Sequence, residues 1–97
     1  MFSGIVSNVG IINQIIRKHE GAILTVRGGD DFRGFASGES IAVNGVCLTV
    51  RDSTKDTFTV DLSTETINRT CFKSIEEGAS VNLERSLTPS DKISGHF

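Results

Sequence analysis

Near the middle of the chain two residues dictate a reversal. Asn44-Gly45 is the pair best suited to a type I′ turn, which needs positive φ at both of its central positions. Ile41-Ala42-Val43 precedes it and Val46-Cys47-Leu48-Thr49-Val50 follows, so the spacing predicts a hairpin over residues 41–51. The second strand alternates. Val46, Leu48 and Val50 share one face, while Cys47 and Thr49 share the other. Such a hairpin commits the chain to an antiparallel sheet, and it sets a thiol beside a hydroxyl on the face turned away from the core.

The flanking sequence continues in the same idiom. Residues 2–16 are rich in β-branched side chains, with Gly10 as a bulge or bend. Lys18-His19-Glu20-Gly21 reads as a polar turn and residues 22–26 as a strand. Gly28-Gly29-Asp30-Asp31 is a loop, and residues 32–39 are irregular, broken by Gly34 and Gly38. Asp52 to Asp56 is a further turn. Residues 57–62 form a clean strand, with Phe58, Val60 and Leu62 on one face and Thr57, Thr59 and Asp61 on the other. Ser63-Thr64-Glu65-Thr66 starts a helix, since a hydroxyl cap and an early acid suit the unpaired amides and the dipole. Ile67 and Cys71, four residues apart, would pack that helix on the sheet. Ser74 to Gly78 turns the chain again, and residues 79–84 are a last strand with Val81 and Leu83 facing in. Six short strands with turns about every eight to twelve residues predict an all-β fold: a six-stranded antiparallel barrel with one short helix, as a single domain over residues 1–97.

Composition narrows the function classes. With 37% hydrophobic and 23% charged residues in 97, the chain has enough apolar material for one core. Its net charge is −2 and its Lys and Arg are scattered, which argues against a nucleic-acid stripe or a polybasic membrane patch. No apolar run nears the roughly 20 residues of a spanning helix. The opening MFSGIV lacks the basic and apolar regions of a signal peptide, so a cytoplasmic location is expected. Cys47 and Cys71 are far apart, with neither CxxC spacing nor properly spaced histidines at His19 and His96. Neither a disulfide nor a metal site is expected.

Chemistry concentrates on one predicted face. Cys47 and Thr49 point outward from their strand, Asp61 from the next, and Ser63 carries that face into the helix start. Four small polar groups there would make a shallow hydrogen-bonding patch. An ordinary solvated sheet face has the same pattern, and the residues alone leave both readings open. A Cys–His pair between Cys47 or Cys71 and His96 lacks a third, orienting group. His19 lies in a charged turn. Gly28-Gly29 lacks the strand–GxGxxG–helix context of a dinucleotide fold, and Glu76-Glu77 and Asp30-Asp31 read as solvated turn charges.

Five segments, taken in order, are similar to one known family. MFSGIV at the start, NGVCLTV at 44–50, DLSTETI at 61–67, GASVNLER at 78–85 and SDKISGHF at 90–97 each resemble the corresponding stretch of the riboflavin synthase family. The resemblance spans the chain. It implies two similar six-stranded Greek-key barrels in a whole protein, of which these residues correspond to the N-terminal one. It implies a dismutation: one 6,7-dimethyl-8-ribityllumazine donates a four-carbon unit to another, giving riboflavin and a diaminopyrimidine without metal or redox cofactor. Ligand would lie on the outer face, between an N-terminal and a C-terminal barrel. By motif match, Gly4, Ile5 and Val6 would run along the ring with their backbone. Cys47 and Thr49 would meet the ring or ribityl chain and carry the catalytic role, and Asp61, Ser63 and Thr66 would meet the ribityl hydroxyls and ring edge. An isolated barrel would expose the face its partner covers, so self-association into a homodimer is implied, with a C-terminal barrel as the natural partner. Non-catalytic lumazine-binding relatives tend to lose the hairpin cysteine, and Cys47 is present. A lumazine- or flavin-binding antenna or storage protein is the alternative reading.

Overall fold

A computed structural model describes residues 8–29 and 35–85. Within them lie six strands: β1 Asn8–Lys18, β2 Gly21–Arg27, β3 Ser40–Val43, β4 Val46–Ser53, β5 Thr57–Leu62 and β6 Ser80–Arg85. A short helix α1, Thr64–Arg69, and a single 3-10 turn, Cys71–Lys73, separate the last two. The strands close into a barrel in the order β1-β2-β5-β4-β3-β6, every pair antiparallel. β3, β4 and β5 form a meander, and β6 returns through the helical connection to lie beside β3. That is a Greek key, as expected.

Local sequence explains the turns. Asn44 has φ 50° and Gly45 φ 82°, so both central residues take the positive φ of the predicted hairpin. Asn44 then ties the hairpin tip to β6. Its backbone N–H donates to the Asn82 carbonyl at 2.8 Å, and its side-chain oxygen accepts the Asn82 N–H at 2.7 Å.

Alternation explains the core. Leu48 and Val50 of β4, Phe58, Val60 and Leu62 of β5, and Val81 and Leu83 of β6 are all buried, as their periodicity requires. Leu24, Val26, Ile41, Val43 and Ile12 complete the interior. Each such side chain contributes about 1.5–3 kcal/mol through loss of apolar surface to water.

Several expectations needed correction. The irregularity in β1 falls at Asn13, where pairing with β2 skips between Ile12 and Gln14, and not at Gly10. Gly10 pairs in register with Val81 and is small because the barrel closes on it. A β-carbon there would stand 2.6 Å from Leu83 Cδ1 and 2.9 Å from the Arg27 carbonyl oxygen. β1 runs on to Lys18, leaving only His19 and Glu20 as the turn. β4 continues through Ser53 into the predicted turn. Ile67 packs against the core, but its partner from this connection is Phe72, fully buried, while Cys71 is exposed. The helix stops at Arg69 and the 3-10 turn rotates the next residues by a different angle, so four-residue spacing no longer selects the inner face. The predicted strand residues 2–7, and the contacts expected of Gly4, Ile5 and Val6, lie outside the described residues, as does His96.

Candidate functional site

Where β4 and β5 run side by side and β5 gives way to α1, the outer wall of the barrel carries a shallow groove of about 360 Å³. That volume falls within the range of small-molecule sites, about 300–1,000 Å³. Its lining includes Cys47, Thr49, Asp61, Ser63 and Thr66. Every described residue that the sequence nominated therefore meets in one place.

Two features of β4 shape the groove. Cys47 and Thr49 stand outward and exposed, opposite Ala42 and Ser40 of β3. Neither side chain makes a hydrogen bond among the described residues, so thiol and hydroxyl are both available to a ligand. Beyond Val50 the pairing with β5 skips a residue: Val50 faces Val60, and Asp52 faces Thr59. The extra residue is Arg51, and the bulge turns two successive side chains outward. Arg51 Nη1 reaches Asp61 Oδ1 at 3.2 Å.

Arg51 and Ser37 are the polar lining residues that the sequence reading missed. For Arg51 the signal was present, because the odd-numbered face of 47 and 49 extends to 51. The Asp61 carboxylate is held by the Arg51 guanidinium.

At the far wall, Ser63 caps α1 with φ −77° and ψ 160°. Its Oγ accepts the Thr66 N–H at 3.0 Å and donates its own proton to Thr66 Oγ1 at 2.9 Å. The capping bond satisfies one of the helix's orphan amides. With the Ser63 proton already committed, Thr66 Oγ1 holds the hydroxyl proton still free to reach a ligand. Thr70 Oγ1 donates to the Thr66 carbonyl at 2.7 Å and ends the helix. Gly21 lies directly behind this wall. A β-carbon on it would collide with the Leu62 carbonyl oxygen, so only glycine lets β2 pass so close to the strand-to-helix junction.

A larger concavity, about 660 Å³, lies elsewhere on the surface, between β1 and residues 73–77. Two of its polar side chains serve the fold. Arg17 Nη2 donates to the carbonyls of Phe72 at 3.3 Å and Ile75 at 3.0 Å, and Glu77 Oε2 accepts the Ile15 N–H at 3.0 Å. Among the described residues no three His, Cys, Asp or Glu side chains gather to hold a metal ion. Cys47 and Cys71 are both free thiols. No helix among them is long and apolar enough to cross a membrane.

Fold and groove together define a class: a closed Greek-key barrel whose candidate site lies on the outside of its wall. Comparison with known proteins makes the class particular. Residues 3–86 match the lumazine binding domain, and the chain belongs to that family. It is 39% identical over 97 residues to riboflavin synthase of Bacillus subtilis (strain 168), covering 100% of this chain and 45% of that one. Among solved structures it is similar to LumP complexed with 6,7-dimethyl-8-(1'-D-ribityl) lumazine, with a TM-score of 0.82 and 32% identity over 91% of this chain and 49% of that one. It is equally similar to LumP complexed with flavin mononucleotide, with a TM-score of 0.81 and 34% identity over 88% and 49%. This chain thus spans about half the length of the relatives it matches.

Proposed function

We propose that this chain is one lumazine-binding barrel of a riboflavin synthase, and that the outer groove holds 6,7-dimethyl-8-ribityllumazine or riboflavin. The observation that carries this reading is the convergence of Cys47, Thr49, Asp61, Ser63 and Thr66 on a single groove. A ribityl chain is a row of hydroxyls, each both donor and acceptor. It needs short polar partners of both kinds. Thr66 supplies a donor, the Asp61 carboxylate an acceptor, and Ser63 holds Thr66 in place. Gly4, Ile5 and Val6 would contribute backbone contacts along the ring.

For catalysis, one lumazine must lose a proton from its C7 methyl group while another is attacked at C7. Cys47 and Thr49, adjacent on one strand face and unengaged, are the side chains assigned to proton handling and stabilisation at the acceptor. Two ligands must stack for the four-carbon unit to pass between them, and one barrel offers half of that site. The doubled length of the relatives supports a C-terminal barrel as natural partner in the whole protein. On its own the barrel is expected to bind ligand, to turn it over slowly at most, and to associate as a homodimer. Val9, Ile11 and Ile16 of β1 are exposed apolar residues suited to such a contact. The cytoplasm is the compartment expected for this chemistry, which needs neither metal nor redox cofactor. A second reading, a non-catalytic lumazine- or flavin-binding protein, is supported by the likeness to LumP; turnover by the two-barrel protein would separate the two.

The test is a fluorescence titration of the purified chain with 6,7-dimethyl-8-ribityllumazine and with riboflavin. The chain has no Trp and no Tyr, so ligand emission meets little protein background. Saturable binding that Thr49→Ala weakens without altering stability supports the assignment. Absence of binding, or binding indifferent to Thr49→Ala, overturns it.

A further inference from the structure

We infer that Ser37 is a ligand-binding residue of the groove, meeting the ribityl hydroxyls that point away from Asp61 and Thr66. The inference rests on the ligand reading above and extends it to the groove's opposite side. Asp61, Ser63 and Thr66 reach the groove from the β5 edge of β4, and Cys47 and Thr49 rise from β4 itself. Among the described lining residues only Ser37 comes from the other edge, where the chain runs into β3.

Serines on surface loops are commonly solvated and mobile, but the turn that carries Ser37 is fastened on every side. Glu39 N–H donates to the Ala36 carbonyl at 3.1 Å and closes a turn over residues 36–39. Gly38, its third residue, has φ 93°, the positive value a type II turn needs there. Glu39 Oε1 accepts the Ala36 N–H at 3.1 Å, and Glu39 Oε2 accepts from Arg85 Nε at 2.8 Å. The turn is also tied along β4. Gly38 N–H donates to the Val50 carbonyl and Val50 N–H to the Glu39 carbonyl, both at 2.8 Å, while Ser53 Oγ donates to the Phe35 carbonyl at 3.1 Å. Ser37 itself is exposed, and its hydroxyl makes no hydrogen bond among the described residues. A hydroxyl held in place and left unpaired needs little further ordering to engage a ligand.

The chemistry of the chain asks for such a group. Vicinal hydroxyls of an extended ribityl chain project to alternate sides of its carbon zigzag, so one wall meets only some of them. Those on the far side need a neutral partner that both donates and accepts, as a serine does. Ser37 is accordingly a specificity-determining residue for the polyol.

Riboflavin and lumiflavin share one ring system, with a methyl group in lumiflavin where riboflavin carries its ribityl chain, which makes them the probe pair. Followed by flavin fluorescence, Ser37→Ala should weaken riboflavin binding about three- to tenfold, the range of one neutral hydrogen bond. It should leave lumiflavin where it was, so the ratio of the two affinities falls. Ser37→Thr, which keeps the hydroxyl, should restore most of the riboflavin affinity. Riboflavin binding indifferent to Ser37→Ala, or an equal loss for lumiflavin, overturns the proposal and leaves the ligand reading intact. Failure of the unaltered chain to bind riboflavin overturns both.

Discussion

The α-carbon of Gly21 lies against the carbonyl oxygen of Leu62, too close for any β-carbon to fit between them. Leu62 is the last residue of β5 and Ser63 the cap of α1, so this contact sets where the strand stops and the groove's far wall begins. Gly21 also holds φ at +105°, a conformation L side chains rarely adopt.

Gly21→Ala should therefore lose about 3 kcal/mol, from backbone strain and the displaced junction together. Gly78 provides the control, with φ +90° but open space around its would-be β-carbon. Gly78→Ala should lose only about 1–2 kcal/mol. Urea unfolding of the two variants checks the ordering, and equal losses would show that the Leu62 contact is unimportant.

Asn44 performs two tasks in one residue, a positive φ and a clamp on β6. Its amide also donates to Cys71 Sγ at 3.6 Å. Asn44→Gly keeps the turn but loses the side-chain bonds, and should lower stability by about 0.5–1.5 kcal/mol. Asn44→Ala loses both, adding roughly 1–2 kcal/mol for the left-handed backbone. Denaturation midpoints ordered wild type, Gly, Ala bear this out, and a glycine variant equal to wild type would dismiss the clamp.

Two arginine–carboxylate pairs on the barrel should behave differently. Arg85 meets Glu39 through Nε at 2.8 Å and Nη2 at 3.4 Å, and its guanidinium carbon lies 4.2 Å above the Phe35 ring. The Glu39 side chain is only 13% exposed. Arg85→Lys, which forfeits the fork and the stacking, should lose about 1–2 kcal/mol. Arg51→Gln should lose less than about 0.5 kcal/mol, because its pair with Asp61 stands in water. Thermal unfolding in low and high salt separates them. A larger loss for Arg51→Gln would reverse the roles given to these residues.

In the connection between β5 and β6, Phe72 anchors and Cys71 does not. Phe72→Ala leaves a cavity in the core and should lose about 3–5 kcal/mol. Cys71→Ser should stay within about 0.5 kcal/mol of the unaltered chain, as exposed substitutions do. Calorimetry on both variants would reveal an error if Cys71 proved the costlier.

The inner and outer faces of β4, β5 and β6 were legible in the sequence because a period of two records them directly. The hairpin was legible because few pairs besides Asn-Gly accept two positive φ values. Barrel closure was not written so locally. Pairing of β2 with β5 and of β3 with β6 joins residues distant in the chain, and only the family resemblance supplied the Greek key. Phe72 was missed because a 3-10 turn changes the angular step just where helical spacing was being counted. Arg51 lay one step beyond the quoted motif, and the bulge that aims it leaves no mark in composition. Ser63 was nominated for a ligand, yet its cap bond to Thr66 gives it a first duty to the helix. Five of the side chains that line the groove were nominated from the sequence, while Arg51 and Ser37 were not.

Along β4 and β5, positions 48, 50, 58, 60 and 62 are buried, while 47, 49, 51 and 61 are exposed. Folding and recognition are thus interleaved on the same two strands, residue by residue. A change at an odd position alters the outer surface and leaves the interior undisturbed. The wall can be rewritten for a new guest without renegotiating the barrel, and a lineage built on such strands is free to diverge in what it holds while keeping its shape.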